Sequence, residues 1–488
     1  MSQSETLVDS NASSEGVPMK LPRSFLMLCM CATALFACKS SPKSTTESAS
    51  KAGGRVGNAS EDQESPELKN FISQFVAVQS ADDFAALLTK IDQEYASYPV
   101  DLRYIAAQLI PLKGLRGVGH LVHDLAKQSK VADTVMVSSL MATAAGINLF
   151  SPPPSNGGSG TGAWLAVFDY LMLPYQGISK RFDSISELQA FLFNQLVANQ
   201  ALDNAISRLE GLTITNTTPI VWDNRLVYGA TGFSDSQDRL VTITDVEKNV
   251  ALSGFHSIYH NTLVFLSFNN DDIIAASEKL GNKMGINIVF SRTPQGLSAM
   301  DRVEVVKKYP NLFAKLPTAA QYMPVAYNHL KSAVDTIALA WNATKSRGSN
   351  AVNDFQLLNP ARLLPWQRIN DASLSNIQAM VAGKPVRSAV TGETVTINIP
   401  AFYNNPPANL QAFMPTAFKP GDQSIMVAGM ESRNFHYGEA TQWDPAAYKP
   451  YAPDVNSPTD VARVLRVLGQ VWGGWFATTP GVAIAFAI

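Results

Sequence analysis

The sequence predicts a mainly α-helical, multi-helix body with a minority of antiparallel β structure in its second half. Apolar residues recur at helical spacing over most of the first half. Short alternating runs at 219–229 and 239–245 look extended, and one hairpin pattern lies near 386–399. Hydrophobic residues make up 46% of the 488-residue chain, which is enough for a large core.

The folded body is predicted to begin at Pro66, with apolar residues at helical spacing from Phe71 to Val78. Ser80 stands where an N-cap residue would start a second helix. A long helix is predicted from Ser184 to Leu212, because Ser184 and Glu187 have the spacing of a capping box. Further helical patterns cover 99–112, 121–125, 131–150, 324–341, 374–381 and 460–471, with a short helix from Asn270 or Asp271 to Gly281 and a strand at 285–290.

The hairpin prediction rests on residues 386–399, VRSAVTGETVTINI. Two β-prone arms flank Thr391 and Gly392, a pair suited to a tight turn. A loop rich in proline and aromatic residues follows, from Ile399 to Gly421.

Composition divides the chain into segments. The predicted organisation is an N-terminal extension at 1–18, a leader at 19–37, a polar tether at 38–65, a helical subdomain at 66–150 and a larger α+β body at 163–488. Residues 151–162, SPPPSNGGSGTG, form either a linker between the last two or a long loop. The tether is too poor in large apolar residues to fold by itself.

The leader has the order of a secretory signal. Lys20 and Arg23 precede a short apolar run, Ser24–Ala34, which is too short to span a bilayer. Leu35-Phe36-Ala37-Cys38 then places a large apolar and a small residue before a cysteine. The acidic residues 1–18 fit poorly ahead of such a signal, so Met19 is the expected start of the chain.

This segment resembles a bacterial lipoprotein signal with its lipobox. The resemblance implies that Cys38 is lipidated, palmitate included, and becomes the N-terminus of a protein held in the cell envelope by a lipid anchor in the membrane. Lys39 after the cysteine implies the outer membrane, at the boundary of the periplasm, in a bacterium with two membranes. The alternative is an ordinary signal peptide in which Cys38 is incidental.

Charge and cysteine content exclude several classes of function. The formal net charge is −2, so there is no basic field for a nucleic acid partner. The three cysteines, Cys29, Cys31 and Cys38, lie in the leader or at the proposed lipid site, so no disulfide or thiolate metal site is expected in the body. There is no P-loop, dinucleotide fingerprint or G-x-S-x-G motif, so no cofactor is expected and no catalysis is inferred.

Two histidine pairs have spacings that suit metal ligands. His256 and His260 are four residues apart, so on a helix they would share one face, whereas on a strand they would point to one side but lie too far apart to share an ion. His120 and His123 are three apart. Ser257 follows His256 where a zinc protease would have glutamate, so that motif is absent. The favoured interpretation is that both pairs are locally hydrogen-bonded histidines.

Two features have a structural and a binding interpretation. The apolar stretches between Asp133 and Lys180 and after Arg466 are interpreted as buried core, with membrane or partner contact as the alternative. The aromatic loop Ile399–Gly421 is either a cover over the core or a binding surface. The side chains that would form this surface are Phe402, Tyr403, Phe413, Met414 and Phe418.

Together these features favour a cell-envelope lipoprotein that acts by binding or scaffolding, with another envelope protein as a possible partner. Two alternatives stay open. One is a metal-dependent periplasmic hydrolase that uses His256 and His260, and the other is a carrier of apolar ligands.

Overall fold

The computed structural model confirms the predicted class, a mainly helical fold with small antiparallel sheets. It describes residues 64–128, 161–178, 180–223, 225–228, 240–276, 279, 299–346, 371–388, 391–419, 423–425, 433–435 and 439–471. The N-terminal extension, the leader with Cys38, most of the tether, the helix predicted at 131–150 and the strand predicted at 285–290 lie outside these residues.

The described α-helices are, in chain order, α1 Pro66–Ala77, α2 Ala81–Gln93, α3 Val100–Leu109, α4 Val118–Gln128, α5 Thr161–Met172, α6 Ile185–Leu192, α7 Ala201–Glu210, α8 Arg225–Tyr228, α9 Asp245–Phe265, α10 Ala299–Lys307, α11 Ala319–Ser346, α12 Asp371–Val381, α13 Ile399–Asn404, α14 Pro445–Tyr448 and α15 Pro458–Val471. Turns of 3₁₀-helix lie at Tyr95–Ser97, Ile110–Leu115 and Leu410–Phe413.

Four antiparallel strand pairs complete the described structure. They join β1 Ile220–Asp223 to β2 Leu240–Ile243, β3 Pro385–Arg387 to β4 Thr394–Thr396, β5 Ala417–Lys419 to β8 Glu439–Gln442, and β6 Gln423–Ile425 to β7 Arg433–Phe435. The pair β3–β4 is the predicted hairpin. Gly392 in its turn has φ +72°, a left-handed conformation that glycine adopts without steric cost.

The helix α1 begins at Pro66, where the folded body was predicted to begin, but the body itself starts two residues earlier. Ser65 caps α1 by accepting a hydrogen bond from the Leu68 amide, and its own hydroxyl donates to Asp101 at 3.0 Å. Glu64 is 4% exposed. Residues 64 and 65 therefore belong to the folded body and not to the tether.

The long helix predicted from Ser184 to Leu212 is interrupted. Ser184 does cap α6, but the chain continues from Phe193 to Ala198 as a π-helix. Gln200 then adopts a left-handed conformation with φ 55° before α7 begins. The apolar spacing continues across this break, so periodicity alone did not reveal it.

Three other boundaries differ from the sequence prediction. The stretch predicted as extended at 219–229 turns into the short helix α8 after β1, and α11 starts before Pro324, which lies inside the helix. The hairpin ends before Ile399, because the Asn398 side chain caps α13 by accepting from the Ala401 amide at 3.0 Å.

One hydrophobic core joins most described elements, from Leu68 in α1 to Leu468 in α15. The ring of Phe84 in α2 meets Tyr170 in α5 edge-on, with centroids 5.1 Å apart. Tyr104 in α3 meets Trp222 in β1 in the same way. The core therefore continues from the predicted helical subdomain into the predicted larger body. Of the segment 151–162 between them, predicted as a linker or a long loop, only the last two residues are described. Among the described residues, no helix is long and apolar enough to span a membrane.

Candidate functional site: a buried histidine cluster

The helix α9 is the most deeply buried long element near the predicted histidines. Of its 21 residues, 16 are buried, so it contacts protein on all sides. Its first turn is closed by a capping box in which the Glu247 carboxylate accepts from the Thr244 amide at 2.7 Å and from the Thr244 hydroxyl at 2.5 Å. The Ser253 hydroxyl donates to the Ala333 carbonyl oxygen of α11 at 2.8 Å, which ties the two helices together.

Three imidazoles lie in this helix pair, two from α9 and one from α11. The Nδ1 atoms of His256 and His329 are 2.9 Å apart. Burial, with a smaller contribution from His329, lowers the pKa of His256 to about 4. Burial also lowers the pKa of His329 to about 4. Both rings are therefore neutral at pH 7, so one Nδ1 carries a proton and donates it to the other.

The ring of Tyr259 packs against the ring of His329. The two rings are stacked with centroids 4.0 Å apart, and the Tyr259 hydroxyl donates to Asp203 of α7 at 2.8 Å. Burial and the Asp203 carboxylate both raise the pKa of Tyr259, so the phenol keeps its proton. A third helix thus fixes the position of the histidine pair.

His260 has a separate set of partners. Its Nδ1 is 2.9 Å from the amide oxygen of Asn261, which can only accept, so Nδ1 carries the proton. Its Nε2 then accepts from the Tyr403 hydroxyl at 2.5 Å. Burial lowers the pKa of His260 to about 4 and raises the pKa of Tyr403. Both ring nitrogens of His260 are used in neutral hydrogen bonds inside the protein.

His256 and His260 lie on one helix, the arrangement of the two that suits metal ligands, but they bond to different neighbours. Across the described residues, no three histidine, cysteine, aspartate or glutamate side chains are grouped as metal ligands. The other predicted pair, His120 and His123, lies on α4 near an ion pair in which Arg181 binds Asp124 at 3.0 Å. Burial and the Arg181 charge lower the pKa of His120.

The aromatic loop packs inward where it is described. The side chains of Phe402, Tyr403, Phe413 and Met414 are each at most 6% exposed. Buried side chains offer no surface to a partner, so these four side chains fit the interpretation of the loop as a cover over the core. The backbone of Phe418 lies in β5, and its side chain is outside the described residues.

The spacing of residues along the sequence did not indicate that His329, Tyr259 and Asp203 belong to the cluster. His329 falls in a predicted helix, but nothing in a single sequence places it opposite His256. Its one available signal was that it is one of only six histidines in the chain.

Comparison of the chain with family models, curated proteins and solved structures finds no match. In the cluster, Nδ1 of His256 and both ring nitrogens of His260 are hydrogen-bonded, and both rings are neutral at pH 7. This arrangement suits a structural polar network that fixes how α7, α9, α11 and α13 pack.

Proposed function

We propose that this chain is a cell-envelope lipoprotein, anchored in the membrane through Cys38, that acts by binding or scaffolding. The observation that carries the proposal is the sequence Leu35-Phe36-Ala37-Cys38 directly after a basic start and a short apolar run. Lys39 after the cysteine favours the outer membrane.

The physical basis of such an anchor is the burial of acyl chains. Each buried methylene group contributes about 0.8 kcal/mol, and stable anchoring takes more than one chain. Lipoproteins carry several chains on the modified cysteine, so no membrane-spanning helix is needed. The polar residues between Cys38 and the start of the body act as a tether that lets the body reach a partner.

A binding role is favoured over catalysis because the histidines suggested as metal ligands are used in internal hydrogen bonds. His256 bonds to His329, and His260 bonds to Asn261 and Tyr403. A metal at His260 would have to displace one of its two partners, because both ring nitrogens are bonded. Elemental analysis of the purified protein distinguishes the binding role from the rival function, a metal-dependent hydrolase. One zinc per chain, lost in both His256→Ala and His329→Ala variants, would favour the hydrolase.

Lipidation is tested by expressing the full chain in a bacterium that processes lipoproteins, with radioactive palmitate in the medium. We expect wild type to take up the label and the Cys38→Ser variant to lose it. Cys31→Ser is the matched control, because it changes a cysteine in the same leader and should leave labelling intact. An unlabelled wild-type chain, or equal labelling of the Cys38→Ser variant, contradicts the anchor.

A further inference from the structure

The connection between α5 and α6 begins with apolar side chains that face solvent. Its residues 173–178, LPYQGI, carry no charge and are called the apolar loop below. Leu173 is 51% exposed and Tyr175 is 36% exposed, and they are two of the four exposed large apolar side chains in the described part of the chain. A Cβ atom on Gly177 would meet no atom within 4 Å, so the loop projects away from the body. Two such side chains on one projecting loop differ from the single ones that are common on protein surfaces.

Neighbouring side chains hold the apolar loop in place. The guanidinium carbon of Arg116 lies 4.5 Å from the centroid of the Tyr175 ring and 5.5 Å from that of Tyr170 in α5. Arg116 also pairs with Asp82 in the first turn of α2. Within the loop, the Ile178 amide donates to the Tyr175 carbonyl oxygen at 3.1 Å. The loop is therefore ordered, and it presents its apolar side chains without a rearrangement.

The cations beside the apolar loop are paired with carboxylates. Lys180 pairs with Asp183 at 2.6 Å, and Arg181 pairs with Asp124 at 3.0 Å. Arg116 is paired in the same way. These pairs leave little excess positive charge to attract an anionic partner. A contact made by the loop would therefore depend on the burial of apolar surface, which does not require charge on the partner.

The polar tether joins the body near the apolar loop. It leads to Ser65, the N-cap of α1, a helix of 12 residues that extends about 18 Å. Near the other end of α1, the Phe75 ring lies 6.4 Å from Phe84, and Phe84 meets Tyr170 at 5.1 Å, close to the start of the loop. As a coil, residues 39–63 have a mean reach of about 28 Å. The loop therefore lies within reach of a membrane that holds Cys38.

We propose that the apolar loop inserts Leu173 and Tyr175 into the surface of the lipid bilayer that anchors the chain. This proposal rests on the proposed lipid anchor at Cys38. Tyrosine suits the boundary between headgroups and acyl chains, because its ring is apolar and its hydroxyl is polar. The tether keeps the bilayer at a high effective concentration, so a contact too weak to hold a free protein is enough. The body then lies on the membrane with the end of α5 facing the lipid.

The test uses the full-length chain, lipidated in cells and added to phosphatidylcholine vesicles that contain a nitroxide-labelled lipid. Cys38 carries the lipid, and Cys29 and Cys31 are removed with the leader, so a Gln176→Cys variant has one thiol for a fluorescent probe. We expect the nitroxide to quench this probe. A probe on a Leu339→Cys variant, at an exposed position of α11, should keep its fluorescence.

A matched pair of substitutions tests the apolar contact. Leu173→Gln and Leu339→Gln each replace one leucine that is about half exposed, so neither should disturb the fold, which circular dichroism verifies. With the probe at position 176, Leu173→Gln should reduce the quenching and Leu339→Gln should not. Phosphatidylglycerol in the vesicles should leave the quenching unchanged, because the nearby cations are already paired.

Mass spectrometry of the same sample shows whether Cys38 carries acyl chains. A sample without them contradicts the lipid anchor, and the contact of the loop is rejected with it. In a lipidated sample, the loop contact alone is overturned by any of three results. These are an unquenched probe at position 176, quenching that needs phosphatidylglycerol, and equal quenching with Leu173→Gln or at position 339.

Discussion

His256 and His329 join α9 to α11 through Nδ1 atoms that are 2.9 Å apart, and neither ring is charged at neutral pH. The pair is stable only while it shares a single Nδ1 proton, because a second proton there would place two N–H groups face to face. Their contact therefore makes the packing of these two helices sensitive to pH.

The first prediction concerns stability at acid pH. An unfolded imidazole has a pKa near 6.5, whereas burial lowers the pKa of His256 in the fold to about 4, so the unfolded chain binds more protons between these values. Stability is therefore complete above about pH 6.5 and falls towards pH 4, by on the order of 3 kcal/mol for one imidazole. Urea unfolding at pH 7, 6, 5 and 4.5 measures this, and a His256→Gln variant should lose part of the dependence. Equal unfolding midpoints across the range would contradict the prediction.

The second prediction concerns the hydrogen bond between Tyr403 and His260. Tyr403→Phe leaves the buried Nε2 of His260 without a donor, which should lower the free energy of unfolding by about 1–3 kcal/mol. Denaturant unfolding measures the loss. In the double variant with His260→Leu both partners are apolar, so the combined loss should be smaller than the sum of the two single losses. Additive losses would mean that the two side chains do not interact.

The third prediction compares two capping boxes. Thr244→Ala at α9 removes a hydroxyl donor from Glu247, a carboxylate with no exposed surface, whereas Ser80→Ala at α2 removes one from the exposed Asp83. We expect a loss of about 1 kcal/mol for Ser80→Ala and a larger loss for Thr244→Ala. Thermal and urea unfolding of both variants give the comparison. A larger loss of unfolding free energy for Ser80→Ala than for Thr244→Ala would contradict this prediction.

The fourth prediction compares two glycines with positive φ. A Cβ atom on Gly117, at φ +70°, would lie 2.5 Å from Cδ1 of Ile178, whereas one on Gly177, at φ +89°, would have no atom within 4 Å. Gly177→Ala therefore isolates the backbone strain, about 1 kcal/mol, and Gly117→Ala adds a steric clash to it. Unfolding free energies should fall further for Gly117→Ala. Equal losses would mean that Ile178 moves aside freely.

Local features of the fold were predictable from the sequence, and contacts between distant segments were not. Ser80 and the turn at Gly392 have local causes, a side-chain cap and a left-handed residue, and both predictions are confirmed. The break at Gln200 was missed because the apolar period continues through it.

In the candidate site, too, the contacts between distant segments could not be predicted from the sequence. The spacing of His256 and His260 was compatible with a helix and with a strand, and it did not indicate His329, which lies 73 residues beyond His256 in the chain. The aromatic loop is a comparable case, because burial of Phe402 and Phe413 depends on Tyr451 and Tyr448, which approach from a later segment.

The packing of α15 also bears on how the chain folds during its synthesis. Val461, Val464 and Val467 of α15 have no exposed surface, and this helix packs beside β3, β4 and α12. The ribosome makes a chain from its N-terminus, so these valines are added after the segments that they cover. The apolar faces of those segments stay uncovered until α15 has been made, and a chain cut short before Val461 leaves them open to water and to proteases.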